Sequence, residues 1–174
     1  VLRLDALTKE ACEIIRQERN NDISGLRTSF FLTREMQEDF YNNVVCNRNS
    51  NHRYFAIKMK NELIGMGGIT NIEWENGLAE ISLFIRKKYQ HLGHGTRAVH
   101  ELLEHGFNNM GLLNIYGETY LCSKAVDFWY KIIQKYEMYV TILPQRKFFL
   151  GECYDSIYFS IDAEAFKRWY YEDT

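Results

Sequence analysis

The sequence predicts a single α/β domain of the α+β kind, on three observations. Apolar residues recur at helical spacing near the start of the chain, after residue 94 and again near its end. Residues 53–85 switch to strand-like runs separated by turn signals. The pair Gly93-His94-Gly95 sits where a strand-like run hands over to a helix-like one. At 174 residues, 46% hydrophobic and 15% aromatic, the chain can bury a sizeable core. It contains no linker, repeat or low-complexity tract, so residues 1–174 read as one domain.

The elements follow in order. Leu7, Ala11, Ile14 and Ile15 share one helical face after Thr8, an N-cap residue, and the pattern ends in the polar "RNND". Thr33 caps a second helix, with Glu35 in its first turn and Met36, Phe40 and Val44 as its inward stripe. Between them "ISGLRTSFFLT" is too apolar for an ordinary loop; this predicts packing between the helices, with the wall of a ligand pocket as the functional reading. "RYFAIKM" (53–59), "LIGMGGITNIEW" (63–74) and "LAEISLFI" (78–85) form an antiparallel meander, the last two joined through Asn76-Gly77. In the third run Ala79, Ile81, Leu83 and Ile85 share one face and Glu80, Ser82 and Phe84 the other. Glycines 65, 67 and 68 predict a bulge or a close approach. A helix beginning at His94–Thr96 buries Val99, Leu102, Leu103, Phe107 and Met110 and stops at Gly111. "LLNIYGETY" (112–120) is a strand, and "SKAVDFWYKIIQ" (123–134) a helix with Trp129, Ile132 and Ile133 inward. "YEMYVTIL" and "CYDSIYFSI" close the sheet through a loop holding Pro144, and "AEAFKRWYYEDT" is a terminal helix.

Composition excludes several classes. Basic and acidic residues number 21 and 23 without long blocks, which is no footprint of a nucleic-acid binder. No apolar run approaches the roughly 20 residues of a membrane span, and "VLRLDALTKEAC" has no signal-peptide core. The chain starts with Val, so residues preceding it are expected. Cys12, Cys46, Cys122 and Cys153 lie apart, with no C-x-x-C pair and no zinc spacing. Free thiols, a cytoplasmic location and no metal site are the expectation. The aromatic excess would serve a homodimer interface or the core.

What Gly93 and Gly95 cradle decides the function. A loop entering a helix presents unpaired N–H groups backed by the positive end of the helix dipole, and glycine lets that backbone approach an anion. Gly93-His94-Gly95-Thr96-Arg97-Ala98 matches the dinucleotide pattern G-x-G-x-x-A, but a meander precedes it and residues 86–92 intervene after the strand, the wrong setting for a Rossmann turn. A plain strand-to-helix connection explains two glycines, but not their place after Gln90.

The stretch Gln90-His91-Leu92-Gly93-His94-Gly95 resembles the Q/R-x-x-G-x-G/A signature of the GNAT superfamily of N-acetyltransferases. That superfamily's order is strand, two helices, three-stranded meander, signature helix, strand, helix and two closing strands. The order above reproduces it, with Leu2–Leu4 as the first strand. "RQERNND" and "GECYDSIYFSI" are most similar to the branch of ribosomal-protein N-terminal, spermidine and amino-sugar acetyltransferases. The resemblance implies a mixed central sheet of about seven strands, splayed at the centre, with helices on both faces. It also implies acetyl-CoA as cofactor and direct acetyl transfer to a primary amine of a small molecule (amino sugar or polyamine) or to a protein N-terminus. A catalytically weak acyl-CoA-binding sensor or scaffold is the alternative.

The same resemblance assigns residues. The pantetheine arm would lie between "LAEISLFI" and "LLNIYGETY", its thioester carbonyl near the backbone N–H groups of Leu83 and Phe84, with Ile85 beside them. The amides of Gln90, His91, Leu92, Gly93, His94, Gly95 and Thr96 would hold the pyrophosphate. Ala79-Glu80-Ile81 matches the strand carrying the base glutamate in histone-acetylating members, so Glu80 is the candidate base, Ser82 positions a water and Glu118 is second choice. The superfamily's N-x-x-A-x-x-x-Y supplies a tyrosine acid; here Cys122 replaces the asparagine and Trp129 the tyrosine. Tyr120 or a water is then the proton donor, and Trp129 packs by the cofactor's sulfur end or in the core. His91 and His94 are loop residues and His100 and His105 fall on the helix's polar side, so none is catalytic.

Overall fold

The computed structural model describes residues 1–172. β1 (Leu2–Ala6) leads into α1 (Lys9–Asn21) and α2 (Arg34–Phe40), which widens into a π turn at Tyr41–Val45. β2 (Arg53–Met59), β3 (Glu62–Glu73) and β4 (Leu78–Ile85) form the meander; a 3₁₀ turn at Lys87–Tyr89 precedes α3 (His94–Glu104), itself extended by a π turn at His105–Asn109. β5 (Asn114–Tyr120), α4 (Val126–Tyr136), β6 (Tyr139–Phe149), β7 (Glu152–Asp162) and α5 (Ala163–Glu172) complete the chain. The strands make one seven-stranded sheet in the order β1-β2-β3-β4-β5-β7-β6, antiparallel except for the central pair β4 and β5.

Alternation sorts the side chains between two layers. Ile69, Ala79, Ile81, Ile115, Ile157 and Phe159 point into the main core against Val99, Leu102 and Leu103 of α3, Ile132 and Ile133 of α4 and Phe166 of α5. The opposite face meets α1 through Ala11 and Cys12, packed with Leu7 and Ala56. The caps form as expected: Thr8 Oγ1 accepts from the Ala11 N–H at 3.1 Å and Thr33 Oγ1 from the Met36 N–H at 3.2 Å. At Gly65 a Cβ would lie 2.2 Å from the Phe84 carbonyl, and the β2–β3 register slips beside it. The meander glycines therefore serve close packing within the sheet.

The central pair is the feature that makes a site. β4 and β5 pair only from Leu78–Asn114 to Glu80–Tyr116, then separate, although β4 continues to Ile85 and β5 to Tyr120. A wedge holds them apart: above Gly117 a Cβ would meet the Phe159 ring at 2.4 Å and Ile81 at 3.1 Å. The β5-facing backbone edge of residues 81–85 is left without a strand partner.

Several expectations change. Pro144 lies inside β6, not in a loop: residues 144–146 bulge between the pairs Leu143–Ser156 and Lys147–Tyr154. β6 is the outermost strand, where a missing N–H costs no ladder bond. The β6–β7 turn is instead Leu150-Gly151, both at positive φ (49° and 81°), a type I′ hairpin turn. Met36 points outward, and Gln37 is buried in its place because its amide donates to the Cys12 carbonyl at 3.0 Å. The helix read from Ser123 begins at Val126, since Ser123 Oγ accepts from the Ala125 N–H and turns the chain first. His100 is not on a polar face: it lies between α3 and α5, 6.0 Å from the stacked Tyr170 ring, with Nδ1 3.2 Å from the Tyr136 hydroxyl. His105 packs edge-on to Phe55 at 4.9 Å.

Candidate active site

Where the central strands part, period-two alternation brings polar side chains of several strands to the α1 face. Glu73 of β3, Leu78 and Glu80 of β4, Tyr116, Glu118 and Tyr120 of β5, Tyr158 of β7 and Arg146 of β6 line a cleft of about 430 Å³. Tyr116 and Tyr158 stack at 5.2 Å and 18°. Burial, followed by the nearby Glu80 charge, raises both phenols above their ordinary pKa.

Glu80 is 8% exposed, and three side-chain bonds hold its carboxylate. Arg27 reaches it as a fork, Nη1 to Oε1 at 2.9 Å and Nη2 to Oε2 at 3.2 Å, and the Asn71 amide approaches Oε1 at 3.5 Å. Asn71 adopts a positive φ of 48° at the irregularity between β3 and β4, which turns its side chain toward the carboxylate. Burial works against the Arg27 charge, but the bonds and charge of Glu80 outweigh it and raise the guanidinium pKa. Glu118 is held in the same manner: Arg146 donates Nε at 2.9 Å and Nη2 at 3.3 Å, and Ser156 Oγ donates at 2.7 Å. The Arg146 bond, ahead of any burial cost, lowers the Glu118 pKa.

The segment 23–33 is fixed from both ends to deliver Arg27. Arg19 donates to the Phe30 and Thr28 carbonyls, Asn20 and the Leu32 backbone exchange two bonds, and Lys124 pairs with Asp22 at 2.7 Å. Lys147, buried beneath, donates Nζ to the Leu26 and Arg27 carbonyls and to Ser29 Oγ at 2.9, 3.2 and 2.8 Å. Its ammonium also sits 5.8 Å over the Tyr120 ring. Burial between the helices is therefore not what the aromatics of this segment do: Phe30 is 47% exposed and Phe31 66%. The segment is a cleft wall, and its backbone bonds rather than its apolar side chains hold it.

On the far side of the gap the signature enters α3. Gly93 is the N-cap in the left-handed conformation (φ 83°), and nothing lies within 4 Å of where its Cβ would be. Arg97 is the first residue of the helix to bond back, to the Gly93 carbonyl at 3.3 Å, which leaves the N–H groups of His94, Gly95 and Thr96 without intrahelical acceptors. Gln90 Nε2 donates to the Ile85 carbonyl at 2.8 Å and ties the loop to the end of β4. His91 also has positive φ (61°), so the backbone curls through residues 91–93. An open, glycine-capped turn aligned with an unpaired strand edge fits an anion joined to an amide-bearing arm.

Glu80, Glu118 and Tyr120 line one cleft, and the Gln90 amide joins the signature loop to Ile85 at the end of β4. Trp129 stacks on Phe159 at 5.0 Å and meets Phe128 edge-on at 5.0 Å, so its observed contacts are core contacts. Arg27, Arg146 and Lys147 read in the sequence as a hint of a flat or anionic partner, but Arg27 and Arg146 are paired to Glu80 and Glu118 and Lys147 to the backbone of residues 26 and 27; Asn71, Glu73 and the Tyr116–Tyr158 stack were missed. The alternation of "NIYGETY" places Tyr116, Glu118 and Tyr120 on one face and could have found the first of the tyrosines; Arg27 lies 53 positions from Glu80, with no local signal. Among the described residues no group of three or more His, Cys, Asp or Glu side chains could hold a metal ion, and no helix is long and apolar enough to cross a membrane.

Comparisons with known proteins agree with this geometry. The model of the acetyltransferase (GNAT) family matches residues 14–132. No curated protein sequence matches significantly. Among solved structures the fold is similar to mutant forms of the spermidine/spermine N-acetyltransferase SpeG from Vibrio cholerae (TM-score 0.83, 19% identity, 96% of each chain). It is similar as well to the Vibrio cholerae spermidine N-acetyltransferase in complex with CoA and spermine (TM-score 0.81, 20% identity, 95% of this chain and 98% of that one). A dodecameric structure of the Vibrio cholerae enzyme in an intermediate state also matches (TM-score 0.76, 21% identity, 94% of each chain). With a family match over most of the chain, the splayed sheet and the glycine-capped signature helix, the protein belongs to the acetyltransferase (GNAT) family and is an N-acetyltransferase that uses acetyl-CoA.

Proposed function

We propose that the protein carries the acetyl group of acetyl-CoA directly to the primary amine of a small cationic molecule, a polyamine ahead of an amino sugar or a protein N-terminus. The observation that carries the reading is the cleft beside the gap, where three carboxylates outnumber the two guanidiniums and three phenols complete the wall. Such a lining suits an ammonium through ion pairing and cation–π contact. The similar fold solved with CoA and spermine supports the choice.

The cofactor supplies an acyl thioester whose leaving thiol has a pKa near ~8.5. The residues present fit it. The N–H groups of His91–Thr96 and the α3 dipole would hold the pyrophosphate, and the free edge at Leu83–Ile85 would hold the pantetheine amides, with one N–H at Leu83 or Phe84 aimed at the acyl oxygen. Trp129 would back the sulfur end through the Phe159 stack. An acceptor amine with a pKa of about 8 to 10 must shed a proton before it attacks. Glu80 takes that proton through a water shared with Ser82. Of the roughly four lone-pair sites on its carboxylate, Arg27 and Asn71 occupy three, leaving one on Oε2. Tyr120, on the same cleft wall, or a water returns a proton to the departing sulfur.

Thermal unfolding with and without acetyl-CoA, with NAD as control, tests the cofactor site. At 100 times its dissociation constant the ligand adds about 2.7 kcal/mol, a rise of roughly 5 to 10 °C for a chain of this size. Thiol release with spermidine, glucosamine and a short peptide then ranks the acceptors, and release with the peptide alone would replace the polyamine reading. A homodimer and a cytoplasmic location belong to the same proposal. The outermost strand exposes Tyr139, Val140, Ile142 and Phe148, and light scattering decides the oligomer. The four cysteines are free, as a reducing compartment keeps them.

A further inference from the structure

We infer that Glu73 and the stacked pair Tyr116–Tyr158 form a subsite for a second ammonium group of the acceptor, remote from the amine that is acetylated. The inference rests on the amine-acceptor reading of the cleft and adds what selects among amines. Three carboxylates line the cleft, and two are closed to an incoming cation: Glu80 by the Arg27 fork, Glu118 by the Arg146 fork and Ser156. A cation approaching either must displace a guanidinium or sit against one. Glu73 has no cationic partner among the described residues, and its Oε2 accepts only the neutral Asn76 amide at 2.8 Å.

The aromatic pair marks the same end of the cleft. Tyr116 and Tyr158 present a stacked surface to it, and Glu73 lines the cleft with both rings; its charge adds to the rise of both phenols after burial, Glu80, and Tyr158 or Glu118 respectively. A carboxylate beside an aromatic stack holds an alkylammonium by charge and by the ring quadrupole together. Register sets the spacing. Glu73 pairs with Leu78, two residues along β4 from Glu80. Two residues of strand span about 7 Å and neighbouring strands lie about 5 Å apart, so the two carboxylates stand roughly 8 Å from one another at the backbone. A short alkyl chain between two amines spans that distance, so one amine reaches the Glu80 side of the gap while the other rests on Glu73. A monoamine or a neutral sugar leaves Glu73 unused.

The test is Glu73→Gln in the full chain, an exposed change that leaves the two forks intact. Calorimetric titration of spermidine into the CoA-loaded protein measures binding without turnover; KM and kcat for spermidine and for n-butylamine measure selectivity. The subsite predicts about fivefold weaker spermidine binding and a matching rise in its KM, with kcat and both n-butylamine constants unchanged. Equal losses for the two amines, no loss for spermidine, or no spermidine binding by the wild-type protein overturns the subsite. Absent turnover with every amine, together with a retained difference in spermidine binding, overturns the transfer reading and leaves the subsite standing.

Discussion

The two signature glycines fail on substitution for different reasons, and this separates conformational from steric roles in one motif. At Gly95 an added Cβ would lie 2.9 and 3.1 Å from two Phe128 ring atoms. That ring cannot simply swing away: it meets Trp129 edge-on, and Trp129 is stacked on the buried Phe159. Gly95→Ala therefore overpacks the junction of α3 and α4 by about 1 to 3 kcal/mol. At roughly 2 to 4 °C per kcal/mol, the melting temperature falls by about 2 to 12 °C. Gly93→Ala meets no atom but forces alanine to φ 83°, at about 1 to 2 kcal/mol. Shortening the ring opposite distinguishes them. Phe128→Leu should make Gly95→Ala cheaper than additivity by about 1 kcal/mol or more and leave the cost of Gly93→Ala unchanged. The assay is urea and thermal unfolding of the three single and two double variants, with acetyl-CoA added in a second series. Either methyl stands among the amides assigned to the pyrophosphate, so both variants lose most of the acetyl-CoA melting shift. A Gly95→Ala protein that melts with the wild type, or a Phe128→Leu rescue of Gly93→Ala, would refute the reasoning.

Three further outcomes are expected. Glu80→Gln should reduce turnover about 10²- to 10⁴-fold at neutral pH while keeping the acetyl-CoA melting shift; wild-type turnover would remove Glu80 from the mechanism. Leu150→Asn should raise the melting temperature by about 2 to 4 °C, because Leu150 is an exposed leucine at φ 49° in a type I′ turn that asparagine followed by glycine satisfies; a lower melting point would contradict that assignment. Burial lowers the His100 pKa below 6.5, against the opposing charges of Glu104 and Glu101 and with help from Arg97 and Lys135. The unfolded chain then binds the proton first, so stability should fall as pH drops from 6.5 toward the lowered folded value. His105, lowered by burial too, adds to the same slope. Urea midpoints from pH 7.5 to 5 should show it, and His100→Asn should flatten it; an unchanged slope would mean that His100 titrates as in the unfolded chain.

How much of this was legible follows from the range of the forces involved. Strand alternation and capping are local, so "RYFAIKM" and "LAEISLFI" are observed with the expected bounds, and Thr8 and Thr33 cap as read. The signature turn was legible because its glycines answer to their own backbone and to one helix. What failed depended on distant partners. Met36 looked inward by periodicity, yet Gln37 is buried because the Cys12 carbonyl needs a donor, 25 residues away. The aromatics of "ISGLRTSFFLT" suggested burial, whereas the segment is pinned through its carbonyls by Arg19 and Lys147. Pro144 suggested a loop because its tolerance on an outer strand depends on strand order, which alternation does not encode.

The central gap and the polar cleft meet because of one parallel pair in an otherwise antiparallel sheet. Antiparallel neighbours can be joined by tight turns, whereas β4 and β5 require a crossover, and α3 is that crossover. Its N-terminus consequently lies just past the end of β4, where its free N–H groups face along the same edge that β5 abandons after Tyr116. The separation is built from both layers. Gly117 has no side chain, so Phe159 of β7 fills the space beside Ile81 and keeps the strands from closing, while Trp129 of α4 seals it from behind. On the opposite face the residues that still pair, Glu80 and Tyr116, are the last before the split, and they line the cleft proposed for the acceptor. A cofactor arm laid along the open edge, as proposed, would therefore end one residue step from Glu80. This placement makes a testable distinction: Gly117→Ala drives a methyl into a ring that is 2% exposed, so it should disturb the gap and lower acetyl-CoA affinity before it affects amine binding. Equal losses of both ligands would mean that gap and cleft deform as one unit and that Phe159 is not the wedge.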